Sequence, residues 1–204
     1  LGVSGALFDE PRTPFTIRAS RPDHTMRPVL LVPGISNSGP DHWQSLWEAR
    51  HRGVHRVQQR DWDHPVCAEW IGALDEAIRR FDQAPILAAH SLGCLLVAHW
   101  AAQSDRPIHG MLLVAVPDPL GSSFPDEATG FVPVPGTLRE RRVTVVSSTD
   151  DPYSSPEFVT RCIDRWNAGH LRLGARGHIN ASSGLGDWPQ GWAIVEAWRD
   201  EPAT

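Results

Sequence analysis

The most chemically suggestive stretch of the chain is Ala89-His90-Ser91-Leu92-Gly93. It follows a short apolar run at 85–90 that reads as a buried strand. It leads into 92–102, an almost wholly apolar helix. A turn this sharp between strand and helix needs small residues two before and two after the serine, because backbone passes close to both positions. Ala89 and Gly93 meet that need, with one methyl more than the commoner glycine at the first. Such a turn holds the serine in a strained conformation that exposes its hydroxyl. The chemistry on offer is attack on an acyl carbonyl. The same five residues would also serve as a plain helix N-cap, a position that favours serine.

Partners separate the two readings. A serine hydroxyl is a weak nucleophile near neutral pH and needs a base, which in turn needs an orienting group. Downstream of Ser91 stand His99, His109, His170 and His178. The first lies inside the core helix, and the next two at strand starts, where structural roles are expected. His178 ends Gly174-Ala175-Arg176-Gly177-His178, a loop between the last strand and the last helix. Loops at the carboxyl ends of strands carry the site in open parallel sheets, so His178 is the candidate base. Asp150 and Asp151, in Ser148-Thr149-Asp150-Asp151-Pro152, lie at another such end and are the candidate acids. Two backbone N–H groups must hold a developing oxyanion. Leu92 supplies one, and the loop 33–37 the other, through Ile35 or alternatively Ser36. Gly34 lets that loop come close to substrate.

These residues require a framework that brings distant loops to one edge. Apolar runs at 28–32, 54–57, 85–90, 108–116, 143–147 and 170–173 read as about six strands. Amphipathic or apolar stretches at 41–51, 65–81, 92–102, 156–168 and 188–199 read as helices. Asp41 is the expected cap of the first helix, with Gln44 as its reciprocal partner. Alternation of this kind implies an α/β fold, a doubly wound, mostly parallel sheet with helices on both faces. The Pro- and Gly-rich connection 118–138 is the sole cap candidate. Its Phe124 and Phe131 either wall an acyl pocket or pack as surface loop. Trp43 and Trp188 are expected in the core rather than the cleft.

Composition narrows the function classes. The chain has 204 residues, 41% hydrophobic and 21% charged, with net charge −5. One domain over 27–204 is expected, preceded by a tail over 1–26 that lacks an apolar face. No basic run forms a patch, so nucleic acid and anionic membrane are not expected partners. Cys67, Cys94 and Cys162 make an odd set without a C-x-x-C pair, which argues for reduced thiols in the cytoplasm and against a zinc site. No metal or other cofactor is expected.

Four segments carry a resemblance. They are V-P-G-I-S-N-S-G-P-D-H-W-Q-S-L-W-E from Val32, A-H-S-L-G-C from Ala89, S-S-T-D-D-P-Y from Ser147, and G-H-I-N-A-S-S-G-L-G-D-W-P-Q-G from Gly177. The chain resembles the RBBP9/YdeN family of small serine hydrolases, within the α/β-hydrolase superfamily. The resemblance implies an α/β-hydrolase fold with Ser91 as nucleophile, His178 as base and Asp151, rather than Asp150, as acid. It implies a carboxylesterase-like enzyme acting on a small acyl-containing substrate, an ester or amide. Two rivals follow: an interaction module for a protein partner on a slow hydrolase scaffold, and an acyltransferase.

Overall fold

The computed structural model describes residues 26–138 and 142–201. The tail expected over 1–26 therefore lies, but for Met26, outside the described residues. The strands are β1 (Val29–Val32), β2 (Val54–Arg56), β3 (Ile86–His90), β4 (Gly110–Val114), β5 (Val143–Ser147) and β6 (Gly169–Arg172). The helices are α1 (Trp43–Arg50), α2 (Cys67–Arg79), α3 (Leu92–Gln103), α4 (Pro156–Trp166) and α5 (Pro189–Arg199). The six strands form one sheet in the order β2-β1-β3-β4-β5-β6. Every pairing is parallel, so the mostly parallel expectation is met in full.

Every residue of β1, β3 and β4 is buried, which is why these strands read as apolar runs rather than alternating ones. Helices cover both faces. On one side α2, α3 and α4 pack around Trp70, Leu74, Leu95 and Phe158. On the other, α1 and α5 bring Trp43, Trp47, Trp192 and Trp198 together with Trp188. Trp43 and Trp188 are 1% and 2% exposed, core residues as expected. α3 is buried almost all round, as an apolar central helix must be.

The start of α1 departs from expectation. His42, not Asp41, is its N-cap, and the ring Nδ1 accepts from the Gln44 amide at 3.2 Å. The amide of His42 closes a turn onto the Gly39 carbonyl, which starts the helix one residue later. Gln44 is committed elsewhere. Its Oε1 accepts from the Ser38 hydroxyl at 2.6 Å, and its Nε2 donates to the Ala88 carbonyl at 2.9 Å. A buried amide that ties the first loop to β3 has no reach left for a capping box.

Because all strands run the same way, the loops after β1, β3, β4, β5 and β6 emerge at one edge. Gly93, expected from the turn, and Gly34 of the first loop are sterically required there. A Cβ added to Gly93 would sit 2.2 Å from the Val32 carbonyl oxygen. One added to Gly34 would sit 2.9 Å from the Ser91 Cβ and 3.1 Å from the Leu92 nitrogen. The first loop and the serine turn are thus in direct contact, with no room between them for a methyl.

Candidate active site

Ser91 stands at φ 55° and ψ −128°, between β3 and α3. A non-glycine residue in that region is strained and persists only where its surroundings hold it. Here the Ser91 amide donates to the Val114 carbonyl at 2.9 Å, and the Ser91 carbonyl accepts from the Cys94 amide at 2.8 Å. The side chain makes no capping bond to its own helix. Its hydroxyl instead donates to His178 Nε2 at 2.7 Å.

His178 Nδ1 faces both carboxylate oxygens of Asp151, at 2.9 and 3.0 Å. The side chains of His178 and Asp151 are 10% and 4% exposed, so solvent screens the pair poorly. A carboxylate only accepts, so Nδ1 carries the proton and Nε2 is left with a lone pair facing the serine. Asp151 Oδ1 also accepts from the Tyr153 amide at 3.0 Å, which fixes the turn after β5.

The His178 ring bonds Asp151 and not Asp150, in keeping with the alternation of neighbouring side chains. Asp150 does more than meet solvent. Its Oδ1 accepts from the Ser148 hydroxyl at 2.6 Å and from the Gly177 amide at 2.7 Å. These bonds, the Ser148 hydroxyl first, hold its carboxyl below the ordinary aspartate range. Asp150 therefore clips the loop that carries His178 to the end of β5.

Of the two expected oxyanion donors, Ile35 directly follows Gly34, where an added Cβ would sit 3.1 Å from the Leu92 nitrogen. Leu92 is the first residue of α3, so its N–H has no intrahelical acceptor. Ser36, the alternative to Ile35, is already spent: its amide donates to the Trp62 carbonyl at 2.9 Å. The amide of Ile35 has no main-chain acceptor among the described residues. The loop is braced by Arg56, whose guanidinium donates to Asn37 Oδ1 at 2.8 Å and to the Ser38 carbonyl at 3.0 Å.

Ser91 and His178 line a cleft of about 300 Å³, walled by Ile35, Pro117, Phe124, Pro125 and Tyr153. Of the two candidate pocket phenylalanines only Phe124 is in this wall. Phe131 is 1% exposed and packs in the core against Trp70, with its carbonyl accepting from His99 Nε2. A larger apolar cavity, about 630 Å³, lies between the 118–134 stretch and α4, and none of the three aligned residues lines it. The remaining downstream histidines have structural partners: His109 meets Glu201, and His170 meets the Ser147 hydroxyl. All three cysteines are free and buried, and burial pushes the Cys67 thiol to about 11 and the Cys162 thiol to about 12. None is poised to be a thiolate nucleophile. Among the described residues no group of three or more His, Cys, Asp or Glu could hold a metal ion, and no helix is long and apolar enough to cross a membrane.

Two histidines at the site went unnoticed in the sequence. His90 is buried beside the serine it precedes, and its Nε2–H donates to the His178 carbonyl at 2.9 Å. His42 lines the cleft, and its ring stands edge-on to that of His90 with centroids 4.6 Å apart. Burial, then the charge of Arg56, lowers the His42 pKa from 6.5 to about 4. Above pH 6.5 the group is neutral folded or unfolded. Between 6.5 and 4 the unfolded chain takes up a proton that the folded chain refuses, so stability falls as pH falls. Thermal melts from pH 7 to 4 are expected to show a shallower decline for His42→Asn, which keeps a capping acceptor without the titrating ring. Identical slopes in the two proteins would refute this.

A family model described as serine hydrolase matches residues 29–197. Among solved structures, a YdeN-like hydrolase from Pectobacterium atrosepticum superimposes with a TM-score of 0.76 at 28% identity, covering 86% of this chain and 91% of that one. The ydeN gene product of B. subtilis gives 0.68 at 17% identity, covering 86% and 100%. A monoacylglycerol lipase from Paleococcus ferrophilus gives 0.63 at 14%, covering 85% and 95%. A search of curated proteins finds no significant match. The last two likenesses bear on fold alone, whereas the family model spans the whole sheet and every loop at its carboxyl edge. The chain belongs to the serine hydrolase family, within the α/β-hydrolase superfamily, and is a hydrolase.

Proposed function

We propose that the protein hydrolyses a small carboxylic ester or amide through a Ser91–His178–Asp151 triad and an acyl-enzyme. The observation that carries this reading is the unbroken hydrogen-bond chain through His178, 2.7 Å to the Ser91 hydroxyl and 2.9 Å to the Asp151 carboxylate. Ser91 Oγ attacks the acyl carbonyl as its proton passes to His178 Nε2. Asp151 stabilises the imidazolium that forms without taking the proton. The Ile35 and Leu92 amides receive the oxyanion. His178 then protonates the departing alkoxide or amine. Water attacks the acyl-enzyme by the same route, releasing the acid and restoring Ser91.

The cleft sets the acyl length. About 300 Å³ is at the lower end of small-molecule sites. Pro117, Phe124 and Pro125 close it with rigid apolar surface, and no Lys or Arg lines it among the described residues. Short, uncharged acyl groups fit that space. A fluorophosphonate probe is expected to label Ser91. On a p-nitrophenyl ester series, kcat/KM should be highest for acetyl to butanoyl and about tenfold or more lower at decanoyl, a difference of about 1.4 kcal/mol. No labelling, together with no turnover of any ester in the series, would overturn the reading.

A further inference from the structure

The loop that presents His178 is backbone under strain. Gly177 stands at φ 55° and Ile179 at φ 50°. A β-branched residue at positive φ is an outlier that isolated chain would leave at once. Conformations of this kind survive where several contacts over-determine them. Asp150 supplies one from β5, through the Gly177 amide. Two more come from the opposite side of the site. The Nε2–H of His90 donates to the His178 carbonyl at 2.9 Å, and the Nε1–H of Trp43 donates to the Ile179 carbonyl at 3.0 Å.

The two donors suit the task. A carbonyl only accepts, so His90 must carry its proton on Nε2. Burial holds the pKa of the ring well below the ordinary histidine range. His90 also precedes Ser91 directly in the chain. A shift of the nucleophile turn is therefore passed to the base through a single hydrogen bond. Trp43 is 1% exposed and packed edge-on against Trp47 and Trp188, which leaves its N–H little freedom of direction.

We propose that His90 and Trp43 are positioning residues for the hydrolytic reaction. By holding the main-chain carbonyls of His178 and Ile179, they keep the strained loop in the one geometry that puts the imidazole in line with Ser91. This rests on the triad reading above. Trp43 does not line the cleft, and His90, which borders it, has its Nε2–H committed to the His178 carbonyl, so their loss is expected in kcat rather than in KM.

The test is steady-state kinetics on p-nitrophenyl butanoate, with kcat divided by the active-site concentration titrated with a fluorophosphonate. That normalisation removes any fraction of protein that fails to fold. His90→Leu is expected to lower kcat per titrated site about 10- to 100-fold with KM within about twofold, the scale of loss from a misplacement near 1 Å. His90→Gln places an amide N–H near the lost Nε2–H and is expected to recover most of that loss. His90→Asn places its amide too short and is expected not to. Trp43→Phe keeps most of the ring and is expected to cost about 3- to 10-fold in kcat. Combined with His90→Leu it should cost less than the product of the two, because both bonds hold one loop. The proposal is overturned if His90→Leu and Trp43→Phe leave kcat per site unchanged, or if His90→Gln does no better than His90→Asn. Ser91→Ala keeps the two readings apart: full turnover in that variant would remove the triad itself.

Discussion

Ser91→Ala is expected to lower ester turnover by about 10⁴-fold or more while shifting the melting temperature by no more than about 2 °C. The two halves of that expectation have different causes. On the proposed mechanism turnover depends on the hydroxyl, which reaches His178 Nε2 at 2.7 Å. The fold depends on the backbone of residue 91, held by bonds to Val114 and Cys94 that alanine retains. Alanine also keeps a Cβ, so the cost of φ 55° is neither added to nor relieved. His178 keeps its Asp151 partner and stays oriented. Slow residual hydrolysis would fit oxyanion stabilisation by Ile35 and Leu92 alone. A purified variant that hydrolyses p-nitrophenyl butanoate at the wild-type rate would show that the nucleophile is another residue, and circular dichroism melts would show whether the fold was disturbed.

Much of this framework could be read before any coordinates because it depends on local pattern. The strands β1, β3 and β4 read as apolar runs, interrupted only by His90 at the end of β3, since each is buried on both faces. The turn at Ser91 could be read because the tight approach of Val32 excludes anything larger than glycine at 93. What could not be read depended on partners far away in sequence. Asp41 looked like the cap of α1, but a turn closed by Gly39 moved the start to His42. Ile35 is the preferred donor from the sequence and Ser36 its alternative, and only the Trp62 carbonyl, which occupies the amide of Ser36, separates them in space. Phe124 and Phe131 were alike as pocket walls until Trp70 and His99 drew Phe131 into the core. The bond from His90 spans 88 positions, and no periodicity announces it. Asp150 and Asp151 stood side by side with the same chemistry, and residue type alone gave no order between them.

Those two aspartates carry the second large expectation. Asp151→Asn should cut kcat by about 10⁴-fold, the scale known for the equivalent change in another triad. The structure supplies the reason. Both Asp151 oxygens face His178 Nδ1 and demand a proton on it. An asparagine can turn its NH₂ to that nitrogen, which favours the other tautomer, and Nε2–H cannot then take the serine proton. Asp150 works through its Oδ1, which accepts from Ser148 and Gly177. Asparagine keeps an oxygen acceptor in that place, so Asp150→Asn should cost under about tenfold, or about 1.4 kcal/mol of barrier. Asp150→Ala removes the acceptor. It should cost more, about 10- to 100-fold, because the Gly177 amide is released and the His178 loop loses one of its clips. The order Asp151→Asn, then Asp150→Ala, then Asp150→Asn is therefore a finer test than any single value. A crippled Asp150→Asn would mean that the charge of Asp150, and not merely its oxygen, orients the base. Equal losses for Asp150→Asn and Asp150→Ala would show that the bond to Gly177 does not set the position of His178.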